Sequence, residues 1–369
     1  MSSFVERVPL GSLVRICNGG DYKSFGPGDV PVYGTGGIMT YVDRASYRGP
    51  SVLIPRKGSL NKLYYVDRPF WTVDTIFYTE IGPRVRPKYL YYWLANKHLE
   101  RLNEAAGVPS LTKRQLNRIL VDVPDLARQN EIVQILDSFT SLEAELEAEL
   151  EARRDQYAFY RDQLLTFNSS VERLPLNKFA VLDRGHGLQK SDFSDSGVDA
   201  IHYGQIYTRY GTYSARAISK VSPVLASQLV QVHPGDVVVT NTSENIEDVG
   251  KALAWLGSDN AVTGGHATVI RHDQNPKYLA YWFQTTDFFT QKKKYAYGTK
   301  VIELPARLLG RIEIPLPSRE EQDRIVSILD KFEAYTTSLT DGLPAEIEAR
   351  RQQYEYYRDR LLSFSEANA

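Results

Sequence analysis

The 369-residue sequence predicts an α+β protein: two tandem β-rich domains alternating with two long helices, which pair as an antiparallel intramolecular coiled coil with pseudo-two-fold symmetry. Three repeats lead to that fold. Gln129-Asn-Glu-Ile-Val-Gln-Ile-Leu-Asp137 returns as Gln322-Asp-Arg-Ile-Val-Ser-Ile-Leu-Asp330, an offset of 193 (137 to 330). Glu151-Ala-Arg-Arg-Asp-Gln-Tyr157 returns as Glu348-Ala-Arg-Arg-Gln-Gln-Tyr354, an offset of 197 (157 to 354). Val5-Glu-Arg-Val-Pro-Leu10 returns as Val171-Glu-Arg-Leu-Pro-Leu176, an offset of 166 (10 to 176). Self-similarity at this length marks a duplicated unit. The expected order is a domain over 1–125, a helix over 126–168, a domain over 169–317 and a helix over 318–369.

Both helical copies carry apolar residues at i, i+3, i+4 and i+7, as Ile132, Ile135, Leu136 and Phe139 and as Ile325, Ile328, Leu329 and Phe332. Tyr157, Tyr160 and Leu164 extend one face, and Tyr354, Tyr357 and Leu361 extend the other. Between them the first copy repeats Leu-Glu-Ala-Glu, which puts Leu142, Leu146 and Leu150 on a slowly drifting stripe of strong helix formers. About 40 helical residues would span roughly 60 Å. A helix with one apolar stripe needs a partner, and the second copy supplies it; the alternative is two separate surface helices. Gly342 and Pro344 are expected to bend or interrupt the second helix.

In the first domain, Asp29-Val-Pro-Val-Tyr-Gly-Thr-Gly-Gly-Ile38 reads as a strand entering a glycine turn. Residues 51–55 and 71–78 read as β runs, Pro87-Lys-Tyr-Leu-Tyr-Tyr-Trp-Leu94 as a helix, and residues 119–124 as a closing strand. Asp125 is placed to cap the helix that follows. In the second domain, 199–203, 236–240 and 261–270 read as strands, and Pro276-Lys-Tyr-Leu-Ala-Tyr-Trp282 repeats the domain helix. Ser318 and Glu321 are spaced as a capping box.

A hydrophobic content of 42% and a charged content of 24% describe a globular chain. One cysteine, Cys17, excludes a disulfide framework and fits a reducing cytoplasm. No signal peptide and no membrane-spanning apolar run are visible. The overall charge of −1 is unevenly distributed: +6 over 1–125, −5 over 126–167, +2 over 168–317 and −4 over 318–369. A polyanion would be drawn to the domains and repelled by the helices.

No catalytic set stands out. The six histidines lack metal-ligand spacing, and no phosphate-binding Gly-x-x-x-x-Gly-Lys-Ser/Thr loop occurs. No Asn/Asp-Pro-Pro-Tyr/Phe stretch occurs either. What remains is loops rich in cations and hydroxyls. Arg56, Lys57, Ser59 and Lys62 fall on one, Ser110 and Lys113 on another, and Lys293 and Lys300 on a third, with Lys23 and Lys190 as further basic positions. Lysines, arginines and hydroxyls suit phosphate contacts, while Tyr207, Arg209, Asn241 and Ser243 are candidates for reading base edges. Each taken alone is equally compatible with a solvated loop.

These residues carry a resemblance. The repeated Gln-x-x-Ile-Val-x-Ile-Leu-Asp, the Arg-Asp-x-Leu-Leu-x-Phe endings at 161–167 and 358–364, the Leu-Glu-Ala-Glu repeat and Gly107-Val-Pro-Ser-Leu-Thr-Lys113 resemble the DNA-specificity (S, HsdS) subunits of type I restriction–modification systems. The resemblance covers essentially the whole chain. It implies a non-catalytic subunit whose two target recognition domains each read half of a split double-stranded DNA sequence, with the helices as a ruler. It also implies two methyltransferase subunits supplying S-adenosylmethionine chemistry, and restriction subunits using ATP and magnesium, with no cofactor on this chain. The rival classes are an enzyme, against which the missing motifs argue, and a coiled-coil scaffold or solo bivalent DNA-binding protein without a restriction partner.

Overall fold

The computed structural model describes residues 5–104, 107–337 and 342–364. They form a mixed α+β fold in which β-rich domains pack on long helices. The chain divides into two compact units, Met1–Leu146 with Ile347–Ala369, and Glu147–Glu346. Each unit therefore holds one β-rich domain and pieces of both helical copies.

In the first unit, Glu6–Pro9 pairs antiparallel with Leu120–Val123, so the domain's first and last strands close it. A four-stranded sheet runs Val14–Asn18, Ile76–Ile81, Ser51–Pro55, Tyr64–Val66; a three-stranded sheet runs Gly37–Val42, Val30–Gly34, Trp71–Thr72. The glycine turn lies between Val30–Gly34 and Gly37–Val42, with Gly37 at φ 116°. The 71–78 run, expected to be continuous, is two strands in different sheets. A corner at 73–75 separates them, where Val73 N donates to Tyr33 O at 3.0 Å and Arg56 N donates to Thr75 O at 2.9 Å. A change of sheet leaves the β-rich composition untouched, so periodicity does not reveal it.

The second unit repeats this plan on two five-stranded sheets. Arg173–Pro175 pairs with Glu313–Pro315 as the closing pair. The 261–270 run also breaks, into Ala261–Thr263 and Ala267–Arg271, which lie in different sheets on either side of a corner at 264–266. The 199–203 run stops at Ile201, because His202 caps a helix over Tyr203–Thr208 with Nδ1 accepting from Gly204 N at 3.1 Å. Thr286–Lys292 is a helix capped by Thr285. A Cβ on Gly185 would fall 1.9 Å from Gly264 O, and one on Gly19 would fall 2.0 Å from Val73 O. Both corners are thus crossed by a segment that only glycine allows.

The first long helix is continuous over Leu126–Leu164, and Asp125 Oδ1 accepts from Arg128 N at 2.8 Å at its start. The second copy is two helices, Arg319–Thr337 and Leu343–Leu362, with Pro344 in the first turn of the latter, where its missing N–H costs nothing. Asp341 lies outside the described residues. Ser318 Oγ accepts from Glu321 N at 3.3 Å, but the Glu321 carboxylate is held by Arg324 at 2.6 and 2.7 Å. The expected capping box is therefore a single cap, since a nearby guanidinium outcompetes a backbone N–H for a carboxylate.

The helical apolar stripe has two jobs, where the sequence predicted one. Ile132 and Leu136 are fully buried in the first domain's core with Tyr89, Trp93 and Val121. Ile325 and Leu329 are fully buried in the second with Tyr278, Trp282 and Ile314. These four anchor the helices to the β-rich domains, while aromatic residues make the helix–helix contact. In the first unit Phe139 stacks on Tyr357 (5.6 Å, 26°) and meets Tyr354 at 6.4 Å, and Glu143 meets Arg351 at 2.6 Å. Moving forward on one helix moves backward on the other, so the pairing is antiparallel. In the second unit Tyr160 stacks on Phe332 (5.9 Å, 28°), and Tyr157 is buried in the core. Leu361 packs on the first core, Leu146 is 9% exposed, and Leu142 and Leu150 are half-buried.

Candidate nucleic-acid interface

In each unit the corner gathers two loops. In the first, Arg56 N and Lys57 N donate to Thr75 O at 2.9 and 3.2 Å, Leu111 N donates to Arg56 O at 2.9 Å, and Gly58 N donates to Pro109 O at 2.9 Å. Lys57 and Ser110 form a β-bridge. The Arg56 guanidinium lies 5.7 Å from the Phe77 ring centroid and Lys113 Nζ lies 5.8 Å from it. Two loops more than fifty positions apart in sequence thus bring Arg56, Lys57, Ser110 and Lys113 into one cationic patch. Ser59 and Lys62 are exposed on the same loop as Lys57, and Lys23 is exposed on the 19–29 loop.

The second unit uses the same backbone bonds with different side chains. Asn241 N donates to His266 O at 2.7 Å and Leu304 N donates to Asn241 O at 2.8 Å. Thr242–Ser243 pairs with Ile302–Glu303. Asn241 thus stands where Arg56 does, Thr242 where Lys57 does, and His266 where Thr75 does.

The predicted base readers fare unequally. Asn241 is fully buried; its Nδ2 donates to Leu304 O at 2.8 Å and its Oδ1 accepts from Thr268 Oγ1 at 2.9 Å. With both ends of the amide satisfied inside, it orders the loops rather than facing a ligand. Tyr207 Oη donates to Thr242 O at 2.6 Å, and burial pushes its phenol up to about 12. Ser243 is half-buried, while Lys190, Arg209 and Lys300 are exposed. Lys293 Nζ lies 4.2 Å from the Phe289 ring centroid. Its neighbour Lys292 is buried and donates to Glu247 O and Val249 O, both at 2.7 Å; burial pushes its ammonium down to about 8.

An aromatic cluster beside Thr242 escaped the sequence reading. The His202 and Tyr203 rings are 4.6 Å apart, Tyr203 and His266 are 4.9 Å apart, and Thr242 Oγ1 lies 2.9 Å from His266 Nδ1. The visible signal was Gly264-Gly265 before a histidine, which reads as an ordinary turn. Among the described residues no group of three or more His, Cys, Asp or Glu could hold a metal ion, and no helix is long and apolar enough to cross a membrane.

On the helices of the first unit, a groove of about 600 Å³ is floored by Ile135, Phe139, Tyr357 and Leu361 and edged by Arg128, Arg350, Gln353 and Arg360.

The model of the type I restriction modification DNA specificity domain matches this chain twice, over residues 5–152 and 171–349. A putative type I restriction enzyme specificity subunit of Haemophilus influenzae is 29% identical, with 98% of this chain and 96% of that protein covered. The EcoR124I/EcoR124II specificity subunit of Escherichia coli is 33% identical, with 75% of this chain and 70% of that one covered. Among solved structures, a chain described under complex assembly and conformational transition of the type I R-M system aligns with a TM-score of 0.64 at 14% identity, covering 98% of each. The type I S subunit of M. genitalium aligns at 0.57 and 13%, covering 99% of this chain and 97% of that one. At these identities the structural likeness concerns the fold.

Proposed function

Because this chain belongs to the family of type I restriction–modification DNA-specificity subunits, we propose that it reads a bipartite double-stranded DNA target, one domain per half-site. Its role is recognition, and it is the non-catalytic component of such an enzyme. Residues 1–125 and 169–317 act as the two target recognition domains, and 126–168 and 318–369 as the spacer helices. The observation that carries this reading is the pair of loop clusters built on one backbone frame with different side chains: Arg56, Lys57 and Thr75 in the first, Asn241, Thr242 and His266 in the second. One frame with two sets of side chains suits one fold recognising two sequences.

Two methyltransferase subunits dock on the chain and restriction subunits complete the complex, in the cytoplasm. The arginine-edged apolar groove on the first unit's helices suits an acidic, amphipathic partner surface. S-adenosylmethionine, ATP and magnesium belong to those partners. The test is selection of duplexes from a random pool by the full chain with its methyltransferase subunits, at several salt concentrations. A motif of two fixed segments around an unread spacer, with binding that weakens as salt rises, is expected. Binding without sequence preference would overturn the reading.

A further inference from the structure

We propose that His266 is a specificity-determining residue of the second domain, its outward ring edge contacting a base edge in the half-site that domain reads. This rests on the DNA-reading function proposed above. His266 is exposed, and its backbone sits at φ 68°, a left-handed conformation that few non-glycine residues adopt, histidine more often than most. Such strain persists only where the surroundings impose it. Here they do so from both sides. Gly265 N donates to Gly187 O at 3.0 Å, and Asn241 N donates to His266 O at 2.7 Å. Gly264 passes so close to Leu188 that a Cβ on it would lie 2.2 Å from the Leu188 Cβ.

The ring is fixed as firmly as the backbone. Its Nδ1 is hydrogen-bonded to Thr242 Oγ1 at 2.9 Å and the ring packs on Tyr203 at a 45° tilt, with centroids 4.9 Å apart. Nε2 is left as the ring atom without a hydrogen bond among the described residues. A short ring held by two loops is poorly suited to following a flexible phosphate, for which long cationic side chains serve better. It is well suited to a single donor–acceptor pattern, which is what a base edge presents. The equivalent position in the first unit is Thr75, another hydrogen-bonding side chain of different reach. The place on the frame is the same and the side chain differs, as divergent half-sites require.

The test compares the parent with His266→Gly and His266→Asn in the duplex selection, using the full chain with its methyltransferase subunits. Glycine and asparagine both tolerate the left-handed backbone, so neither variant adds strain. With His266→Gly, preference at one base pair in one half of the motif should fall on the order of tenfold, the lower part of the range for a base-edge contact. His266→Asn should change the preferred base at that same pair, and the other half should be unaltered. An unchanged motif in both variants overturns the inference and leaves the DNA-reading function standing. So does a uniform loss of affinity with every preference intact. If the parent itself selects no motif, the proposed function fails and the inference fails with it.

Discussion

Lys277 Nζ lies 2.7 Å from Asp330 Oδ2, and Lys88 Nζ lies the same 2.7 Å from Asp137 Oδ2. The other oxygen of each carboxylate accepts from a tyrosine at 2.7 Å, Tyr281 in one unit and Tyr92 in the other. At the start of each helix a glutamine repeats the same pair of bonds. Gln129 Oε1 accepts from Arg86 N at 2.7 Å and its Nε2 donates to Pro124 O at 2.8 Å; Gln322 does so with Asn275 N and Pro317 O, both at 3.0 Å. The repeated Gln-x-x-Ile-Val-x-Ile-Leu-Asp is therefore a docking code. Its glutamine fixes the helix start, its apolar residues fill the domain core, and its aspartate locks the domain helix.

Removing that aspartate should weaken each domain, and more so in the second. Asp330→Ala leaves the Tyr281 hydroxyl with Glu333 Oε2, which it also reaches at 2.6 Å, but takes the carboxylate from a lysine that is 20% exposed, and should cost about 2–3 kcal/mol. Asp137→Ala faces a lysine that is 41% exposed, so water replaces more of the bond, and about 1–2 kcal/mol is expected. Chemical denaturation of the single variants measures both. Equal losses would mean that burial does not set the difference.

Stability should also depend on His272. Burial pushes its imidazole down to about 4, while Nδ1 accepts from Gln274 N at 3.1 Å. The folded protein keeps this ring neutral where the unfolded chain, near 6.5, already binds a proton. Its contribution is constant above that value and falls as pH drops from about 6.5 to about 4. His272→Gln should flatten this part of the stability–pH curve, which thermal melts across the interval will read.

The cations of the first patch should act through phosphate. Lys57→Ala and Lys62→Ala are each expected to weaken DNA binding at every sequence alike and to reduce the slope of log affinity against log salt by about one. The selected motif should not change. Binding isotherms at several salt concentrations separate this from a base contact, which would alter the motif.

The Leu-Glu-Ala-Glu stretch should set the unread spacer. One added unit extends a helix by about 6 Å, against a base-pair rise of about 3.4 Å. Inserting one unit after Glu149 should lengthen the spacer by roughly one to two base pairs and leave both half-sites as they were. Sequencing of methylated sites in cells carrying the variant complex gives the answer; an unaltered spacer removes the ruler.

The sequence by itself determined the duplication, the fold class, the two domain helices and the closing strands, because local periodicity and repetition are properties of the chain. It also determined which loops carry cations, since charge needs no partner to be seen. Only the tertiary structure decided what the repeated aspartates and glutamines hold at the domain helices, because those partners lie 43 to 53 positions away. It alone turned the stripe of Ile132, Leu136, Ile325 and Leu329 toward the domains, since an apolar face does not name what covers it. Asn241 was drawn inward and His266 brought out at the corner for the same physical reason. Whether a polar side chain faces water or a buried carbonyl depends on which distant backbone crosses it, and that is settled by packing.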